Sequence, residues 1–163
     1  MRTLITYYSR TGNTKKIADE IFNVISGEKD ITKITELDLN SLSEYDLIFL
    51  GTPVKANSVE SKVKKVLKTF PDNLKAKIGV FITHGVPDKN FYEGCFKAIK
   101  KACNKKNLEV IEEFNCLGKH SSPDLVVNLF PDKAEDVKKS IGHPDQTDLE
   151  NVKKFALDLM EKL

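Results

Sequence analysis

One segment, Tyr7-Tyr8-Ser9-Arg10-Thr11-Gly12-Asn13-Thr14, constrains the fold of this chain more than any other. It closes a short apolar run, Thr3 to Tyr8, and leads straight into a stretch where Ile17, Ala18, Ile21, Phe22 and Ile25 recur at helical spacing. A strand that turns directly into a helix leaves the first N–H groups of that helix unpaired, at its positive end. Ser9, Thr11, Asn13 and Thr14 add side-chain donors, and Gly12 lets the backbone approach a ligand with no Cβ in between. The combination suits a dianionic phosphate. The competing interpretation is a polar turn that only caps the helix.

The rest of the chain repeats the alternation. Ser26-Gly27 ends the first helix, Ile31 to Thr35 is a short β-branched strand, and Asp38 to Glu44 has room for a single turn. Leu47 to Leu50 is an apolar strand that Gly51-Thr52-Pro53 terminates. Asn57 and Glu60 stand at capping-box spacing before a helix carrying Val59, Val63, Val66, Leu67 and Phe70. Ile78 to Thr83 is a buried strand, and Phe91, Cys95, Ala98, Ile99 and Ala102 form the apolar side of a further helix. Val110 to Cys116 is a strand with acids on one side, which suits an edge. Gly118 to Gln146 is loop-like, with room for one short helix over Pro131 to Ser140, and Thr147 and Glu150 cap a closing helix to Leu163. Strands alternating with amphipathic helices predict an α/β fold, a doubly wound parallel sheet with helices on both faces, in one domain spanning residues 1–163. Ligands of such sheets sit at the carboxyl ends of the strands, where the loops Ser9–Thr14, Thr52–Asn57 and His84–Gly94 are expected to converge.

Composition excludes several classes. The 26 Lys and Arg, of which only Arg2 and Arg10 are arginine, are interspersed with 24 Asp and Glu, so no basic block points to nucleic acid. Cys95, Cys103 and Cys116 form no C-x-x-C pair, so neither a disulfide framework nor a zinc site is indicated. His84, His120 and His143 lie too far apart in sequence to argue for a metal, and none is expected. No apolar run approaches the roughly 20 residues that span a bilayer. The first strand leaves no room for a signal peptide, so a cytoplasmic protein is expected.

At Ser9-x-Thr11-Gly12-Asn13-Thr14, with Ala18 and Ile21 following, the chain resembles the phosphate loop of short-chain flavodoxins and flavodoxin-like flavoproteins. Tyr45 to Pro53 resembles that family's third strand and first flavin-flanking loop, and Phe81-Ile82-Thr83-His84-Gly85 its fourth strand and second loop. The resemblance implies a five-stranded sheet in the order 2-1-3-4-5 that binds FMN non-covalently. It implies that Ser9, Arg10, Thr11, Gly12, Asn13 and Thr14 hold the phosphate. Thr52, Pro53, Val54, Lys55, Ala56 and Asn57 would line one side of the flavin ring, and Thr83, His84 and Gly85 its pyrimidine end. Two departures stand out. Lys55 and Ala56 occupy places where the family carries an aromatic residue, and the chain has no Trp, which leaves Phe91 or Tyr92 as stacking partners.

Individual residues keep two interpretations each. Arg10 pairs with the phosphate or points into solvent. Lys55 places a charge at the flavin or is an exposed loop lysine. His84 donates to the flavin, or is a strand-end histidine whose backbone alone touches it. No amino-acid nucleophile or general base is required. The function implied is an FMN-binding electron-transfer flavoprotein, passing electrons from a donor reductase or ferredoxin to an acceptor enzyme. The alternative is an FMN-dependent oxidoreductase acting on a quinone or other conjugated small molecule, with 118–146 as a substrate cover.

Overall fold

A computed structural model describes residues 1–163. Its strands are β1 (Arg2–Tyr7), β2 (Glu28–Lys33), β3 (Leu47–Lys55), β4 (Ser58–Val59), β5 (Lys77–His84) and β6 (Val110–Leu117). Its helices are α1 (Asn13–Val24), α2 (Ser61–Thr69), α3 (Glu93–Asn104), α4 (Pro123–Leu129), α5 (Ala134–Lys139) and α6 (Gln146–Glu161). The five long strands pair in parallel in the order β2-β1-β3-β5-β6, and β4 folds back antiparallel on the end of β3. Counting only the parallel strands, this is the expected order 2-1-3-4-5.

Parallel strands covered on both faces read as continuous apolar runs, because alternate side chains enter different cores. Leu4, Ile48, Leu50, Val80 and Ile82 pack with Val63 and Leu67 of α2 and Phe96 and Ile99 of α3. Their neighbours Ile5, Phe49 and Phe81 face the other way, onto Ile17 and Ile21 of α1 and Val152, Phe155 and Leu159 of α6. Truncating any of these fully buried Ile, Leu or Phe side chains to Ala would cost about 2–5 kcal/mol. The sheet is therefore a rigid platform whose carboxyl edge carries the loops of interest.

Four local expectations are corrected. Gly51-Thr52-Pro53 does not end the third strand; β3 runs on to Lys55, because β4 supplies a partner for the extension. Ala56 and Asn57, both at positive φ (47° and 54°), make a two-residue hairpin turn, and Val54 and Lys55 pair with Val59 and Ser58. Asn57 and Glu60 consequently form no capping box: α2 starts at Ser61, after an extended Glu60 with no side-chain cap, and Val59 lies in a strand. The second strand starts at Glu28 rather than Ile31, since pairing with β1 recruits a charged edge segment. The last helix is capped two residues early, by Asp145 with Asp148 rather than Thr147 with Glu150.

The segment 118–146 is less loop-like than expected: the short helix expected over Pro131 to Ser140 is present, and α4 is the addition. It folds as α4, a 3-10 turn at Pro131–Lys133, and α5. Pro123, which reads as a breaker, stands like Pro131 at a helix start, where a missing N–H costs nothing. Helices of seven and six residues are too short to display a periodic pattern.

Candidate functional site

The carboxyl end of β1 passes through Ser9 into Gly12, which precedes α1 in a left-handed conformation with φ of 91°. That angle selects glycine, and a Cβ placed there would meet nothing within 4 Å, so the loop opens onto free space. The start of α1 carries no side-chain cap and no acidic residue in its first turn. Its unpaired N–H groups and positive dipole end are left for an anion.

The side-chain donors around it divide. Ser9 Oγ accepts from the Gly12 N–H at 3.1 Å and keeps its own O–H to donate. The Asn13 amide donates to the Lys119 carbonyl at 3.0 Å, tying the Ser9–Thr14 loop to the chain after β6. The Thr14 hydroxyl is buried against that of Thr83 at 2.8 Å, which links α1 to β5, and buried Thr52 donates to the Pro53 carbonyl at 3.1 Å. The Thr14 and Thr52 hydroxyls thus have partners within the protein, and the backbone N–H groups, Ser9 and Thr11 are the donors this loop leaves free.

The three expected loops do meet. Arg10, Thr11 and Asn13 from the first line an inner cavity together with Pro53 and Val54 from the hairpin and Thr83, His84 and Gly85 from the end of β5. An outer cleft of about 400 Å³ continues from it. One wall is the hairpin Val54, Lys55, Ala56 and Asn57, a second is His84, Gly85 and Phe91, and the third is α4 with Phe130. Asn57 Oδ1 accepts from the Gly94 N–H at 2.8 Å, which fastens the hairpin tip to the start of α3. The third wall is held to the second by an edge-to-face contact of Phe91 with Phe130, centroids 5.3 Å apart, and by Lys133 on Asp88 at 2.7 Å.

Charge is arranged unevenly around this space. No carboxylate lines the inner cavity or the outer cleft, whereas Arg10, Lys55 and Lys119 do. Behind the wall, Glu60 is 4% exposed and serves two cations: Arg10 Nε lies 3.0 Å from Oε1 and Lys55 Nζ 3.8 Å from Oε2. Arg10 therefore neither floats in solvent nor is free for a phosphate alone, and the Lys55 charge is partly compensated.

His84 is spoken for. Its Nδ1 donates to the Val86 carbonyl at 2.9 Å, Nε2 lies 3.0 Å from the Asn115 amide, and the ring stacks on Tyr92 with centroids 4.0 Å apart. Tyr92 is used by this stack, so of the two expected stacking partners only Phe91 stands on the cleft wall, where Phe130 joins it. Burial lowers the His84 pKa. His120 also lines both spaces, and burial, aided by the nearby Arg10 charge, lowers its pKa. Burial pushes the Cys95 thiol up to about 12 and the Cys116 thiol higher, so neither is a nucleophile. His143 stands apart from the other histidines. It forms with Asp145 and Asp148 a group whose ligand atoms lie within 4.8 Å of one another, but the carboxylates already cap α6.

Sequence reasoning missed the fourth loop. Gly118, Lys119, His120 and Ser121 line the inner cavity, and the Gly85 and Gly118 positions leave no room for a Cβ against His120 and Asn13. The signal was available: Gly118 directly follows the last parallel strand, at the same sheet edge as the three loops that were recognised.

The flavodoxin domain family model matches residues 4–157. The flavodoxin-like domain-containing protein BilS of Clostridioides difficile (strain CD3) is 30% identical over 175 residues, covering 99% of this chain and 98% of that protein. Oxidised flavodoxin 2 from Bacillus cereus superposes with a TM-score of 0.73 at 20% identity, over 100% of both chains. Fusobacterium nucleatum flavodoxin bound to flavin mononucleotide superposes at 0.56 with 17% identity, over 85% of this chain and 98% of that one. At such identities the superpositions speak to the fold.

Proposed function

The chain belongs to the flavodoxin family, and from that premise we propose that it is an FMN-binding electron-transfer protein. The observation that carries the reading is the uncapped start of α1, opening onto a cavity that the hairpin and the β5 end complete without a single carboxylate. FMN, when bound, supplies reversible electron uptake and release. Everything else is work for this chain's residues. The first-turn N–H groups of α1, with Ser9 and Thr11, hold the phosphate, and Arg10 adds charge beside it. Val54 to Asn57 form one wall of the ring site, and Thr83, His84 and Gly85 the other. Phe91 and Phe130 shed water from the cleft, which strengthens every remaining electrostatic contact there.

In this reading the partners are a donor reductase or ferredoxin and an acceptor enzyme, and no side chain is a catalytic residue. The three unpaired, buried cysteines support a reducing, cytoplasmic setting. No helix is long and apolar enough to cross a membrane. The test is the visible spectrum of the purified protein, identification of any released chromophore, and titration with FMN and riboflavin. FMN should bind and riboflavin, lacking the phosphate, should bind at least about 100-fold more weakly, a difference of about 2.7 kcal/mol. A colourless protein that ignores FMN would overturn the reading.

The wall made by α4 and Phe130 favours a second reading, an FMN-dependent oxidoreductase acting on a quinone or other conjugated small molecule in the outer cleft. Turnover of a quinone panel by the FMN-loaded protein with reduced nicotinamide, and no added reductase, separates it from the carrier.

A further inference from the structure

The chain after β6 forms a fixed rim of the inner cavity, because three successive backbone donors are satisfied within the protein. The Gly118 N–H goes to the His84 carbonyl at 2.9 Å, the Lys119 N–H to the His143 carbonyl at 3.0 Å, and the His120 N–H to Ser140 Oγ at 3.2 Å. Ser140 is itself buried, and its hydroxyl donates to the Val137 carbonyl at 2.7 Å. Asn13 fills the space a Cβ on Gly118 would need, and the His120 ring fills that of Gly85. A loop whose main chain is so engaged presents side chains, and Lys119, His120 and Ser121 line the cavity.

Lys119 and Ser121 are exposed, whereas His120 is half-buried. Its Nδ1 accepts from the Ser122 N–H at 2.9 Å. A ring nitrogen that accepts carries no proton, so the neutral imidazole holds its N–H at Nε2. Nε2 has no partner within the protein. Burial and the Arg10 charge lower the His120 pKa, which keeps the ring in this neutral form.

We propose that His120 donates its Nε2–H to the phosphate of the bound mononucleotide and so sets the preference for a phosphorylated flavin. The proposal rests on the flavin reading and adds a specificity residue from the loop after the last strand. His120 shares the inner cavity with Arg10, Thr11 and Asn13, the residues at the bare start of α1. Arg10 cannot serve the anion alone, since its Nε lies 3.0 Å from Glu60 Oε1. A neutral donor adds no repulsion against Arg10 and Lys119, and it takes up no proton when the ligand enters. Hydrogen bonds to a charged acceptor are the strong ones. A ring already held by the Ser122 N–H and packed on Gly85 gives up little freedom in making one.

The test compares FMN with riboflavin at about pH 7.5, above the second phosphate pKa of about 6. His120→Phe keeps a ring against Gly85 and removes the donor. It should bind FMN about tenfold or more weakly than the parent, while riboflavin affinity stays within about twofold. A second measurement needs no variant. In the parent labelled with ¹⁵N-histidine, FMN should bring the His120 Nε2–H out of exchange with water as a new proton resonance, and riboflavin should not. Equal weakening of both ligands in His120→Phe, or unchanged FMN affinity, overturns the proposal. So does the absence of the new resonance with FMN, or its appearance with riboflavin as well, which would put the donor at the flavin ring. Failure of the flavin reading shows separately, as a parent protein that takes up neither ligand.

Discussion

Two helices in this molecule begin in opposite ways. At α6, Asp145 accepts from the Asp148 N–H at 3.0 Å while Asp148 accepts from the Asp145 N–H at 2.8 Å and holds His143 at 2.6 Å. At α1, Gly12 offers no side chain, and the first turn has no acid. The two helices pack against each other, so the same core stabilises both. Their difference teaches where stability ends and binding begins. A reciprocal cap satisfies a helix start from within the protein, whereas the bare start, with glycine at the cap, keeps its donors available at a cost in stability of roughly a few tenths of a kcal/mol.

The largest effect should come from closing the bare start with charge. Thr11→Asp puts a carboxylate beside the unpaired N–H groups and should weaken FMN binding by about 100-fold, about 2.7 kcal/mol, by like-charge repulsion. Titrating riboflavin alongside isolates the phosphate: its affinity should hardly move. If FMN and riboflavin weaken equally, the loop does not bind the phosphate.

Opening the capped start is the converse. Asp148→Ala removes the half of the box that accepts from the Asp145 N–H, while the Asp145 carboxylate keeps its bond from the backbone N–H of residue 148, and should cost about 1 kcal/mol in chemical denaturation, with FMN affinity of the folded protein unchanged. A loss of affinity without a loss of stability would reverse the roles assigned to the two helix starts.

Between them lies His84, packed under the cleft and kept from protonation mainly by burial. Because its folded pKa is lowered, the unfolded chain binds a proton near pH 6.5 that the folded chain does not. Stability should therefore be full above that range and decline as the pH falls through it, with a slope below about 1.4 kcal/mol per pH unit from this group. His120 has the same sign. Denaturation at pH 7.5 and 5.5 for the parent and His84→Gln checks this, the variant showing the shallower slope.

The smallest change belongs to Lys55. It is 54% exposed and 3.8 Å from Glu60, so Lys55→Glu should make the bound flavin harder to reduce by less than about 1 kcal/mol. Redox titration of the two proteins measures it, and an unchanged potential removes Lys55 from the cofactor's electrostatics.

Much of this is legible in the sequence. The apolar runs Thr3–Tyr8, Leu47–Leu50 and Ile78–Thr83 announce buried parallel strands, and the polar loops after them announce the site. What escaped is what depends on partners distant in the chain. The two-residue turn at Ala56-Asn57 exists because β4 pairs with β3, and Asn57 bonds the Gly94 N–H rather than a nearby helix. His120 joins the cleft only because β6 ends at the same sheet edge as β5. Helix α4 is held by contacts such as that of Phe91 with Phe130, which no local period reveals.

The amino-acid order alone therefore determined the layered α/β architecture and the glycine-led, uncapped turn into α1, since hydrophobic period and local backbone chemistry act over a few residues. Tertiary structure decided which donors stay free, which cation each carboxylate takes, and which apolar side chains remain in water. Those outcomes depend on distances between segments far apart in sequence, and only the folded sheet sets them.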